Sequence, residues 1–250
     1  MSFQEYPAAF EQDGFVVIPG FLAGELLAEL QAELDRYVRE VVPTLPETHA
    51  FFVDRTRPET LKQMQHMTGD PFFAAYSRNA RWVALAQALL GEEAECHGPE
   101  WFNKPPGEDA PTPPHQDNYY FNLKPPNVLT IWLALDPVNE ENGCLRYVPG
   151  SHREGIRPHG RSAILGFSQG ITNYGATDAA REVAVCLRPG DAVVHHGAMI
   201  HRADANCSTT RHRRAFAMVM QGESCRRDEE AYARYLTALR QQHEALGVQP

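Results

Sequence analysis

From residue 23 to about residue 41, apolar Leu26, Leu27, Leu30, Leu34, Tyr37 and Val38 recur at spacings of three and four, with charged residues between them. This spacing predicts an amphipathic helix that covers one face of a sheet. Before it, the β-branched run within 13–22 predicts a short strand stopped by Pro19-Gly20. Residues 42–58 read as loop. Weaker helical patterns cover 59–67, 71–77 and 80–90, the last stopped by Gly91. After Gly91 the texture changes, and short β-like runs alternate with Pro, Gly and Asn clusters down to about residue 221. Candidate strands fall at 94–102, 119–123, 128–135, 144–148, 182–187, 191–195 and 213–221. Short strands joined by such turns predict a sandwich or jelly roll. Residues 151–180 form a polar, glycine-containing insertion of little periodicity, which reads as a lid or a disordered loop. A polar helix over 228–246 carries Tyr232, Tyr235, Leu236 and Leu239 on one face, expected to pack on the domain. The chain is thus read as mainly β with flanking helices. It forms one domain over 1–250, with a strand and helices in 1–92 packing on the sheet, a jelly-roll core in 93–221 and a C-terminal helix in 222–250.

The totals narrow the function. A chain of 250 residues holds one substantial core. No apolar run approaches the length needed to cross a bilayer. The opening Met1-Ser2-Phe3-Gln4-Glu5-Tyr6 has neither the basic segment nor the apolar core of a secretory signal, so a cytoplasmic location is expected. Cys96, Cys144, Cys186, Cys207 and Cys225 are scattered and odd in number, which fits idle thiols in a reducing compartment. A formal net charge of −9 opposes non-specific attraction to nucleic acid or an anionic membrane, leaving a small molecule as the expected partner. Net charge is silent on local patches, and Arg211, Arg213, Arg214, Arg226 and Arg227 lie close in sequence.

The chemistry concentrates in Pro113-Pro114-His115-Gln116-Asp117. If this segment is extended, period-two alternation points His115 and Asp117 to one side. A second histidine from elsewhere then completes the facial triad that holds non-heme Fe(II) and leaves positions open for a co-substrate and oxygen. The stretch 188–201 offers a Pro-Gly-Asp turn, a strand, the pair His195-His196 and then His201, which is the expected third ligand. His195 and His196 could also be taken for ligands, since a strand followed by a turn can aim either inward. A keto acid such as 2-oxoglutarate would chelate the iron at one end and need a cation for its far carboxylate, which an arginine grips through two parallel hydrogen bonds. Strand parity groups Arg211, Arg213, Ala215 and Ala217 on one face and Arg214, Phe216, Met218 and Met220 on the other. The small residues leave room for a bound acid and favour Arg213; a slip of one residue gives Arg214.

At this point the sequence resembles the phytanoyl-CoA dioxygenase family. The resemblance runs through nearly the whole chain. It rests on His115-Gln116-Asp117, Trp132-Leu133-Ala134-Leu135, Glu141-Asn142-Gly143-Cys144-Leu145, Val148-Pro149-Gly150-Ser151-His152, Gly190-Asp191 leading to His201, and the opening 14–21. It implies a double-stranded β-helix that uses Fe(II), 2-oxoglutarate and O2 to hydroxylate a C–H bond of a small molecule, releasing succinate and CO2. By the same resemblance His115, Asp117 and His201 match the iron ligands and Arg213 the co-substrate arginine. One extra residue between His201 and that arginine keeps Arg214 open. Trp132 matches a tryptophan lining the keto-acid pocket. Lys62, from the preceding helical region, matches a lysine reaching the same co-substrate, with Lys104 as its alternative. Halogenating relatives carry a small residue where Asp117 stands, so the carboxylate implies hydroxylation. The alternative is a jelly-roll protein that binds metal or ligand without catalysis; the presence of all four groups weighs against it. Asn142-Gly143 and Pro149-Gly150-Ser151-His152 are expected to shape the barrel mouth.

Overall fold

The structure, a computed structural model, describes residues 2–107, 110–162, 164 and 169–248. Parts of the insertion expected at 151–180 (163 and 165–168), of the metal-loop approach (108–109) and of the C-terminal segment (249–250) therefore lie outside the described residues. In chain order the strands are β1 (Phe15–Ile18), β2 (Ala50–Phe52), β3 (Leu61–Met64), β4 (Ala94–Lys104), β5 (Thr112–His115), β6 (Leu123–Lys124), β7 (Val128–Ala134), β8 (Leu145–Tyr147), β9 (His159–Arg161), β10 (Gln169–Ile171), β11 (Val183–Val185), β12 (Ala192–His196), β13 (His201–Ala203), β14 (Arg213–Gly222) and β15 (Arg226–Arg227). The α-helices are α1 (Pro7–Asp13), α2 (Glu25–Arg36), α3 (Pro71–Tyr76), α4 (Ala80–Leu90), α5 (Asn118–Phe121), α6 (Ala176–Ala179) and α7 (Glu229–Leu246).

Two antiparallel sheets carry the fold, one of seven strands in the order β1-β12-β7-β14-β4-β3-β2 and one of four in the order β11-β8-β13-β5. Strand β7 shows why they stack. Its sequence does not alternate polar and apolar, because both faces are covered. Leu129, Ile131 and Leu133 pack into a core with Leu30 and Leu34 of α2 and Trp82 and Leu85 of α4. Trp132 and Ala134 instead meet Leu145, Tyr147, Val185 and Ala203 of the smaller sheet. The same parity runs along β14, where Phe216, Met218 and Met220 join the helix-covered core and Ala215 and Ala217 line the space between the sheets. The result is a jelly roll with helices on the outer face of its larger sheet.

Several elements differ from the sequence reading. The helix expected at 59–67 is a 3-10 turn, Pro58–Thr60, followed by β3. Leu61 and Met64 have helical spacing, but Gln63 and Met64 pair with Phe102 and Trp101 of β4, and the sheet edge wins over local pattern. The strand expected at 119–123 is mainly α5, ended by Asn122 in the left-handed region (φ 54°), with the Asn118 amide exchanging hydrogen bonds with the backbone of Leu123. The helix expected to end near Val41 continues through a π segment, Tyr37–Val41, and a 3-10 turn, Val42–Thr44, and the loop expected at 42–58 contains β2. The insertion holds the two-stranded ribbon β9-β10 and α6. Two strands without a periodic signal, β5 and β13, are too short to show one. Pro113 and Pro114 fit β5 because it is an edge strand. Among the described residues no helix is long and apolar enough to cross a membrane.

Candidate metal centre

The pairing of β13 with β5 sets His201 directly opposite His115, with ring centroids 4.2 Å apart. Asp117 arrives differently from the sequence reading. The strand ends at His115, and Asp117 has helical backbone angles (φ −58°, ψ −37°) as the N-cap of α5. The turn, and not strand alternation, swings its carboxylate toward the histidines. Oδ1 of Asp117 lies 3.4 Å from Nε2 of His115 and 3.5 Å from Nε2 of His201. One ligand atom from each of the three lies within 4.8 Å of the others.

This donor set fits a divalent metal. Neighbouring ligand atoms on an octahedron with bonds of about 2.1 Å are about 3 Å apart, so each Asp117–histidine pair is within a few tenths of an ångström of that spacing. Nδ1 of His115 lies 2.8 Å from the Pro113 carbonyl and Nδ1 of His201 lies 3.0 Å from the Met199 carbonyl. Each carbonyl can only accept, so each ring carries its proton on Nδ1 and offers the Nε2 lone pair inward. Burial, with repulsion from His115 and His195, holds His201 well below the ordinary histidine range. Burial pushes Asp117 up, but His201, His115 and His195 more than offset it and hold the carboxyl well below the usual range. Neutral imidazole and charged carboxylate are the ligating forms.

The other carboxylate oxygen is occupied. The Thr130 hydroxyl donates to Oδ2 of Asp117 at 2.7 Å, and Nε2 of His195 lies 3.1 Å away. To donate there, His195 carries its proton on Nε2, so its Nδ1 accepts from the Tyr147 hydroxyl at 3.0 Å. Asp117 is thereby turned with Oδ1 toward the two ligand histidines. Between the ligands in sequence, Gln116 is fully buried. Its amide donates to the carbonyls of Gly155 and Ala198 and accepts from the Arg157 N–H, tying the ligand turn to two other loops.

At the other side of the same space, Arg213 is buried with its guanidinium 5.2 Å from the centre of the Trp132 ring. Among the described residues its Nε has no hydrogen-bond partner and no ion pair involves it. Burial brings its value down to about 10. Arg214 faces the opposite side of β14 and is closed in an ion pair with Asp136 at 2.8 Å. Arg213 and the three candidate ligands line one cavity of about 540 Å³, which Lys62 and Lys104 also line. Lys62 sits on β3 and not on a helix. Lys104 pairs with Arg213 across the β4–β14 ladder, and its ammonium donates to the Ala110 carbonyl at 2.8 Å. Tyr232, Tyr235, Leu236 and Leu239 of α7 form part of the cavity wall, so this face borders the site. Thr130, Tyr147, Gln116, Gln63 and Glu100 belong to the site or its supports and were not singled out from sequence. Thr130 carried a signal as the one polar residue within the apolar run of β7.

The profile of the phytanoyl-CoA dioxygenase (PhyH) family matches residues 10–215. The peroxisomal phytanoyl-CoA dioxygenase of Bos taurus is 27% identical over 80% of this chain and 63% of its own length. Phytanoyl-CoA dioxygenase 1 of Oryza sativa subsp. japonica is 31% identical over 62% of this chain and 55% of its own. This chain thus spans less than two thirds of either relative. Among solved structures, EvdO2 from Micromonospora carbonacea var. aurantiaca complexed with 2-oxoglutarate superposes with a TM-score of 0.67 at 26% identity, covering 89% of this chain and 91% of that one. The epimerase SnoN in complex with Fe3+, alpha ketoglutarate and nogalamycin RO has a TM-score of 0.71 at 24% identity, covering 89% and 84%, and shares the fold.

Proposed function

This chain belongs to the phytanoyl-CoA dioxygenase family, and we propose that it uses Fe(II), 2-oxoglutarate and O2 to hydroxylate a C–H bond of a small molecule, releasing succinate and CO2. The observation that carries the reading is the sharing of one cavity by the His115–Asp117–His201 group and a buried guanidinium that has no carboxylate partner among the described residues.

In this reading His115, Asp117 and His201 hold the iron, and Arg213 receives the far carboxylate of the keto acid through two parallel hydrogen bonds. Trp132 keeps the guanidinium plane in place. Lys62 assists at the co-substrate, with Lys104 as the alternative. Fe(II) and 2-oxoglutarate, when bound, supply the oxidising chemistry, in which O2 converts the keto acid to succinate and CO2 and oxidises the substrate. The protein contributes position and exclusion of water, with α7 walling the cavity. Asp117 supports hydroxylation over halogenation because its carboxylate occupies the position a halide would need. The five cysteines, free in the structure, support a reducing compartment such as the cytoplasm. The acidic total supports a small-molecule partner over nucleic acid or membrane.

The test is anaerobic loading with Fe(II) and 2-oxoglutarate followed by exposure to air with a panel of small molecules, reading succinate. Succinate that requires both Fe(II) and O2 and disappears in His115→Ala is the expected result. Failure of 2-oxoglutarate to bind the Fe(II)-loaded protein overturns the reading.

A further inference from the structure

Glu100 lies in the middle of β4, opposite Ala217 of β14, which in turn pairs with Trp132 of β7. These three share the inner face of the large sheet, and Glu100 lines the cavity that holds the candidate metal ligands. A carboxylate in such a place would ordinarily have a cation beside it. No ion pair among the described residues involves Glu100. Among the described residues the Gln63 amide donates to it and stabilises its charge.

Gln63 adds the second observation. It is 3% exposed, lines the same cavity, and its Oε1 has no hydrogen-bond partner among the described residues. Its place on β3 opposite Phe102 sets it next to Glu100 across the ladder. Two acceptors, one a half-buried carboxylate, therefore face one cavity. Leaving Oε1 of Gln63 without a donor is costly, and the barrel does not need either polar group, since Phe102, Ala217 and Val219 at nearby inner positions are apolar.

We propose that Glu100 and Gln63 dock the amino group of a primary-amine substrate beside the metal ligands. The proposal rests on the oxygenase reading above and names its substrate class. A hydroxyl has one donor and leaves an acceptor unmet, whereas an ammonium has three donors and neutralises the carboxylate. Burial, with repulsion from Asp117, pushes Glu100 up to about 7, and a bound cation opposes that rise by favouring the charged carboxylate. The wall formed by Tyr232, Tyr235, Leu236 and Leu239 suits the carbon skeleton of such an amine.

The test uses hexylamine, hexanol and hexanoate as probes of the Fe(II)-loaded protein with 2-oxoglutarate, by anaerobic calorimetry and then by succinate release in air. Hexylamine is expected to bind and to stimulate succinate formation above the other two. Glu100→Gln weakens hexylamine at least about tenfold, and Glu100→Asp, which keeps the charge, retains part of the affinity; thermal melting confirms that both variants fold. If 2-oxoglutarate binds but hexanol or hexanoate binds as tightly as hexylamine, or Glu100→Gln binds hexylamine undiminished, the docking proposal is overturned and the oxygenase reading stands. If 2-oxoglutarate fails to bind, the oxygenase reading falls, and the hexylamine titration still decides whether Glu100 holds an amine.

Discussion

One step along β14 separates a guanidinium that lacks a carboxylate partner among the described residues, Arg213, from one closed on Asp136, Arg214. If Arg213 clasps the co-substrate, Arg213→Leu weakens 2-oxoglutarate binding by about 30-fold or more, because a charged, two-point contact is lost in a desolvated site. Arg213→Lys falls between, keeping charge without the parallel bonds. Arg214→Leu leaves 2-oxoglutarate affinity nearly unchanged, and its stability cost is within about 1 kcal/mol because that pair is partly exposed. Titration of the three Fe(II)-loaded variants with 2-oxoglutarate separates these outcomes. A second expectation concerns Oδ2 of Asp117. Thr130→Val removes a 2.7 Å donor with little change in shape and should lower Fe(II) affinity about tenfold or more, read by chelator competition. Parity along β14 pointed to Arg213, because Ala215 and Ala217 alternate with Phe216 and Met218, but a one-residue slip gives Arg214, and local sequence does not fix the register. Glu100 and Gln63 were not legible. The first is one acid among many, and the second lay in a segment whose spacing suggested a helix.

At the scale of elements, β5, the turn at Gln116 and α5 act as one unit held by side chains from distant loops. Replacing Gln116 with Leu strands the Arg157 N–H and the carbonyls of Gly155 and Ala198. The expected cost is about 3 kcal/mol, or a fall of about 6–12 °C in melting temperature for a chain of this size. Acid should loosen the same region. His159 stacks on Tyr119, with Nδ1 2.8 Å from the Arg157 carbonyl and Nε2 accepting from the Gln116 N–H, and burial brings it down to about 4. His196 is likewise lowered to about 4 by burial, its Nδ1 accepting from Ala198 N–H. Both folded values lie below the ordinary 6.5, so the unfolded chain takes up these protons first. The stability they contribute is complete above about pH 6.5 and is lost as pH falls toward 4. Melting temperatures of the metal-free protein at pH 7.5, 6 and 4.5 check this, and a flat profile contradicts it. The misread elements share a cause. β3 and α5 are short segments whose state is set by a partner far away in sequence, the edge of β4 for one and the ligand turn for the other, and periodicity over a few residues does not report that partner.

At the scale of the molecule, the change of texture at Gly91 marked where continuous strand begins, and it hid how the first part of the chain is used. β1 lies at one edge of the large sheet, and β3 and β2 lie at the other. The early segment therefore completes the sheet as well as covering it with α2, α3 and α4. Its core is aromatic and tightly interlocked, with Trp82 edge-on to Phe21 at 4.9 Å and to Phe216 at 5.6 Å. The other end of the chain is built differently. α7 has Gln242 as its one buried residue and presents Tyr232, Tyr235, Leu236 and Leu239 to the cavity instead of to either sheet core. Truncation after Asp228 should therefore preserve the far-ultraviolet signature of the sheets and leave 2-oxoglutarate affinity within a few-fold, since Arg213, Trp132 and the candidate metal ligands lie outside the removed segment. It should abolish the stimulation of succinate release by substrate and raise the release seen without it, because a cavity opened to water no longer holds a substrate against the metal side. Loss of the folded baseline on truncation would instead place α7 among the elements that hold the barrel together.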